Sequence, residues 1–160
     1  MADSGNLRGA AMLGRVDEAR RLLDRGFAVD EADRCGQTAL YLAVRYNHVD
    51  VARLLLDRGA DANRPRQAGW VALHSACNFG HVEAGRLLLD RGADVDRAKR
   101  DGMTPLYVAC EEGRVEAARL CLDRGADVNR PSYDGITPLY ATCLKGQIAA
   151  ARLCLERGAD

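Results

Sequence analysis

His74, Cys77 and His81 fall within one short stretch, and two imidazoles with a thiolate form a donor set that zinc accepts. The spacing works against a site, because Gly80 breaks the helical run before His81 and no fourth group accompanies the three. Six cysteines widen the search: Cys35, Cys77, Cys110, Cys121, Cys143 and Cys154. Cys77, Cys110 and Cys143 share one register, and stacked helices lie about 8–10 Å apart. A tetrahedral zinc needs its sulfurs roughly 4 Å from one another, and a disulfide needs Cα atoms within about 7 Å, so this column suits neither. Cys121 and Cys154 take the place of a helical leucine. These five are expected to be small buried hydrophobes, and Cys35 is a candidate reactive thiol. No nucleophile, base and orienter set accompanies them, nor a phosphate loop or a His-Glu-x-x-His run. The expectation is a non-enzyme without metal or cofactor.

The elements that must position these residues recur every 33 residues, at Gly36, Gly69, Gly102 and Gly135 and again at Gly26, Gly59, Gly92, Gly125 and Gly158. Such a period predicts a stack in which each unit contacts its neighbours. Thr38, Thr104 and Thr137 stand where a helix N-cap hydroxyl is wanted, with Pro105 and Pro138 at the first helical position. Asn47, Gly80, Gly113 and Gly146, with Gly14 before them, suit a left-handed stop. A second helix then runs from Val49 to Arg58 and through its equivalents, its leucines inward. Acid–arginine–acid sets at helical spacing, such as Asp50, Arg53 and Asp57, are expected to pair within the helix on a solvated face. The third unit departs most: Val71 replaces the capping threonine, Ala72 the proline, and Gly85 lies inside its second helix, so it is expected to be locally soft.

The phrases Met103-Thr104-Pro105-Leu106-Tyr107, Ile136-Thr137-Pro138-Leu139-Tyr140 and Trp70-Val71-Ala72-Leu73-His74 resemble the T-P-L-H-x-A signature of the ankyrin repeat. The resemblance implies an all-α solenoid of helix-turn-helix units joined by β-hairpin fingers. It divides the single domain 1–160 into units at about 1–33, 34–66, 67–99, 100–132 and 133–160. It also implies that His74 bonds loop backbone. Asn63 and Asn129 stand where some members are hydroxylated, although a hairpin asparagine bonding its own backbone is the commoner role. The first unit is polar on its outer side, as a cap should be, whereas the last keeps Ile136, Leu139, Leu144, Ile148 and Leu153, leaving an apolar flank open to end-to-end self-association or to further repeats.

In this family the positions that the scaffold leaves free, on finger tips and the concave side of the first helix, hold protein partners. Here they are Arg34, Gln37, Arg45, Tyr46, Trp70, Asn78, Phe79, Asp101, Met103, Glu111, Glu112, Tyr133, Asp134 and Ile136. Tyr46, Trp70, Phe79 and Met103 are expected to form an apolar stripe, with Arg34 and Arg45 at a basic end and Asp101, Glu111, Glu112 and Asp134 at an acidic one. The partner so implied is a protein or peptide with apolar anchors and a basic portion over the fourth unit. The alternative is a spacer or scaffold segment of a larger protein. Basic and acidic residues number 23 each, which gives no reason to expect nucleic acid. No apolar run approaches the roughly 20 residues that cross a bilayer, and Met1-Ala2-Asp3-Ser4-Gly5-Asn6 has neither a basic nor an apolar leader region. A cytoplasmic or nuclear setting is expected.

Overall fold

The computed structural model describes residues 6–160, and the reading of Met1–Gly5 as leader-free lies outside them. Ten α-helices follow in pairs: α1 Leu7–Met12 and α2 Val16–Asp24, α3 Ala39–Arg45 and α4 Val49–Asp57, α5 Ala72–Phe79 and α6 Val82–Asp90, α7 Pro105–Glu111 and α8 Val115–Asp123, α9 Pro138–Leu144 and α10 Ile148–Glu156. Side-chain caps start α1, α3, α7 and α9. The hydroxyls of Thr38, Thr104 and Thr137 accept the N–H groups of Tyr41, Tyr107 and Tyr140, and Asn6 caps α1 by accepting from Gly9. The odd helices end where the chain turns left-handed, at Gly80 and at Asn47, whose φ is +60°. Val71 has no hydroxyl to offer α5, and the Nδ1 of His74 accepts the Val71 N–H instead.

Odd helices pack on odd and even on even, giving two layers with the core between them. Leu40, Leu73 and Leu106 from the inner layer and Leu55 and Leu88 from the outer are fully buried in it, each contributing about 1.5–3 kcal/mol. At the far end Tyr140, Leu144, Ile148 and Leu155 are exposed. Cys143 is exposed there too, against the expectation that five cysteines are buried. Its register is interior only where another repeat lies over it.

Polar side chains join successive repeats in register. His48, His81, Arg114 and Gln147 each reach back to a carbonyl near the end of the preceding odd helix, at Met12, Arg45, Asn78 and Glu111. Asn63 donates to Gly92 O and accepts from Asp94 N, and Asn129 bonds Gly158 O and Asp160 N. These amides therefore tie one repeat to the next, while their own turns are shaped by Asp61 and Asp127, which accept the Asn63 and Asn129 N–H groups. The helix acids behave likewise. Asp24, Asp57, Asp90 and Asp123 pair with Arg58, Arg91, Arg124 and Arg157 of the following repeat at 2.7–2.8 Å. Of the in-helix pairs expected, Arg86–Glu83 forms, at 3.9 Å. The inter-repeat arginine wins because its guanidinium lies across the gap between helices, half shielded from water.

The fingers are tight turns, and no strand occurs among the described residues. Each turn closes with two backbone bonds, an outer one from Asp33 N to Gln37 O, Arg66 N to Trp70 O, Lys99 N to Met103 O and Ser132 N to Ile136 O, and an inner one from Gly36, Gly69, Gly102 and Gly135 N to Asp33, Arg66, Lys99 and Ser132 O. The next bond goes to the neighbouring finger: Gln67 N to Cys35 O, Arg100 N to Ala68 O, and Tyr133 N to Asp101 O. These short turns carry no strand, so the expected β-hairpins are not seen.

Gly85 in α6 offers a direct test of local softness. A Cβ there would lie 3.2 Å from Leu120 Cδ2 and 3.7 Å from Ala76 Cβ. Ala52 and Ala118 fill the same register in neighbouring repeats and are fully buried, so the leucine methyl can yield. Gly85→Ala is expected to raise stability by about 0.5–1 kcal/mol, read as a higher urea midpoint at unchanged slope.

Candidate functional site

One groove gathers the inner helices and the finger turns. About 490 Å³ in volume, it is lined by Asn6, Arg8, Gly9 and Met12 from the α1 region, Leu42, Arg45 and Tyr46 from the α3 region, and Asp33, Gln37 and Arg66 from the turns. A second hollow of about 340 Å³ runs along the finger tips past Arg34, Cys35, Gln67 and Arg100. Arg34, Gln37, Arg45 and Tyr46 are thus placed in two adjoining depressions.

Cations lie over the aromatic rings of this face. The Arg66 guanidinium carbon is 4.9 Å from the Tyr41 ring centre and 5.5 Å from that of Trp70, and Lys99 Nζ is 4.8 Å from Trp70. Arg45 stands 6.0 Å from the Tyr46 ring and 5.3 Å from that of Phe79. Hydrogen bonds to Tyr41 raise the Arg45 pKa further, against the opposing effect of burial, so it is charged at every relevant pH. Trp70 also packs at 5.7 Å on His74, and Phe79 stacks at 5.7 Å on His81. The expected apolar stripe of Tyr46, Trp70, Phe79 and Met103 is therefore interleaved with Arg45, Arg66 and Lys99. Arg66 and Lys99 escape a reading of the sequence because they share a turn register with Asp33 and Ser132, whose side chains accept N–H groups of their own turns.

The acidic end is partly neutralised from within. Lys99 holds Asp101 at 3.0 Å, and Lys145 meets Glu111 at 3.6 Å. Burial alone would raise the Asp101 pKa, but the Lys99 ammonium and the Met103 N–H hold it below the usual carboxylate range. Glu112, Tyr133 and Asp134 are exposed, whereas Asn78, Met103 and Ile136 are half-buried. Met103 and Asn78 serve the scaffold through their carbonyls, which accept His74 Nε2 and Arg114 Nε.

The imidazoles of the sequence-level metal question are engaged elsewhere: His74 between Val71 N and Met103 O, His81 at Arg45 O. Among the described residues no cluster of three or more metal-ligating side chains occurs, and no helix is long and apolar enough to cross a membrane. Residues 59–132 match a family model described as ankyrin repeats in three copies, and residues 9–56 match one described as ankyrin repeats in many copies. No curated protein matches the chain.

Proposed function

The chain belongs to the ankyrin-repeat family, whose members are generally protein-interaction modules, and we propose that it is a non-catalytic recognition module for an extended peptide laid along the inner helices and finger turns. The observation that carries this reading is Arg66. Its guanidinium lies over the rings of Tyr41 and Trp70, lines the groove, and keeps a buried Nε without a hydrogen-bond partner. Neither Arg66 nor Arg45 takes part in an ion pair among the described residues, although Arg8 in the same groove is held at 3.4 Å by Glu31. A guanidinium held against ring faces keeps donors for a carboxylate and loses little freedom on binding.

The occupant that fits carries an acidic residue over Arg45 and Arg66, then an apolar or aromatic side chain against Tyr46 and Phe79. A basic residue follows toward Glu112 and Asp134. Selection from a displayed library of random peptides tests this. Enriched sequences should share the acidic and apolar positions, and a folded Arg45→Ala, Arg66→Ala variant should bind them about 10–100-fold more weakly. Undiminished binding, or enrichment without an acidic position, would sink the proposed polarity. Failure to enrich any sequence would favour the spacer reading.

A further inference from the structure

Two pairs of buried thiols meet on a diagonal that the sequence register hides. Cys77 Sγ in α5 lies 3.5 Å from Cys121 Sγ in α8, and Cys110 Sγ in α7 lies 3.5 Å from Cys154 Sγ in α10. Each pair joins the inner helix of one repeat to the outer helix of the next across 44 residues of chain. All four cysteines are buried. The stack does not need sulfur at these registers, since Ala11 and Val44 fill the inner one earlier in the chain, and Leu55 and Leu88 the outer one, equally buried. Cysteine enters the outer register only in the fourth and fifth repeats, and in both cases the inner partner one repeat before is cysteine as well.

We propose that Cys77–Cys121 and Cys110–Cys154 are two internal dithiols that hydrogen peroxide converts to disulfides, clamping the third, fourth and fifth repeats into one covalent stack. The sulfurs must close from 3.5 Å to about 2.05 Å, which side-chain rotation with a small helix shift can supply.

The Cys110–Cys154 pair is the more reactive. Either sulfur of this pair can donate its S–H; with Cys110 as the donor the bond lowers the Cys154 pKa against the effect of burial, while the same bond and burial push Cys110 up. Cys154 is therefore the thiol that ionises. Its thiolate attacks one peroxide oxygen: an S–O bond forms, the O–O bond breaks, and hydroxide leaves and takes up the proton that Cys154 released. The sulfur of Cys110 then attacks the sulfenic sulfur. An S–S bond forms, the S–O bond breaks, and the hydroxyl departs as water with the Cys110 proton. One peroxide is reduced to two waters, and one dithiol is oxidised to a disulfide.

The test uses the full chain with the exposed thiols removed by Cys35→Ser and Cys143→Ser. After peroxide treatment under native conditions the protein is unfolded, alkylated, digested and mapped by mass spectrometry. The Cys110–Cys154 link should appear first and Cys77–Cys121 later, with the thermal midpoint raised on the order of 10 °C and restored by reductant. Cys110→Val, which copies the residue of an earlier repeat, should leave Cys154 as a sulfenic acid that a nucleophilic probe captures. The proposal falls if all four thiols remain free for alkylation while a surface-thiol control is oxidised. It falls equally if the links formed are scrambled among the four.

Discussion

Acidification from pH 7 to pH 5 will cost this chain about 2 kcal/mol through one side chain, rising to about 3 kcal/mol near pH 4. That side chain is His74, fully buried beneath Trp70, with its pKa lowered from 6.5 to about 4. Burial is the largest cause, and the Lys99 and Arg97 charges add to it, while the Met103 carbonyl and Asp101 oppose it. The geometry explains why the neutral ring is preferred. Val71 N–H donates to Nδ1, so Nδ1 must be bare and Nε2 must carry the proton that it gives to Met103 O. A second proton on Nδ1 would turn an acceptor into a donor facing a donor. Because the folded pKa lies below the unfolded one, the unfolded chain binds more protons between them. Stability therefore falls as pH drops through 6.5 and levels off below about 4. The measurement compares urea unfolding of the wild type with a Val71→Thr, His74→Tyr variant, which copies the threonine cap and tyrosine of the repeats on either side. The variant should lose about 2 kcal/mol less between pH 7 and pH 5. Equal losses in both proteins would acquit His74.

What could be read from the sequence is what the chain settles within a few residues. Thr38, Thr104 and Thr137 cap because a hydroxyl can reach an N–H three residues on. Asn47 and Gly80 stop their helices because a left-handed residue needs little tertiary help. Contacts between repeats follow another rule. Asp24 meets Arg58 and Cys77 meets Cys121, offsets of one period plus a further displacement set by how each repeat shifts against the last. A linear period carries no record of that shift. It shows a column of cysteines 33 apart and hides the diagonal on which thiols touch. The recognition face divides in the same way. Its aromatics were evident from position, but the cations stacked on them were not, because Arg66 and Lys99 occupy a turn register whose other members bond their own backbone.

The finger turns stake the most on the smallest residue, and Gly102 will show it. Its φ is +85°, and a Cβ there would lie 2.6 Å from the backbone nitrogen of Tyr133 and 2.7 Å from Cδ1 of that ring. The exposed ring can swing away, but the nitrogen cannot, because it donates to Asp101 O at 2.9 Å and so links one finger to the next. Gly125, at φ +87°, is the control: its added Cβ would meet nothing within 4 Å. Both substitutions carry the left-handed penalty of an L residue, about 1–2 kcal/mol. Only Gly102→Ala adds backbone crowding, about 1–3 kcal/mol, and a weakened hydrogen bond, about 1 kcal/mol. Gly102→Ala should therefore destabilise by about 3–6 kcal/mol and Gly125→Ala by about 1–2 kcal/mol. Urea unfolding of the two variants side by side decides it, and equal losses would mean that backbone conformation alone governs these glycines. Amide exchange separates the local consequence from the global one. In Gly102→Ala the Tyr133 N–H should exchange faster than the Gln67 and Arg100 N–H groups, which hold the other two finger-to-finger bonds. Asp101, Tyr133 and Asp134 would then lose their fixed spacing, so the same methyl group should also weaken any peptide whose basic end reaches the fourth repeat.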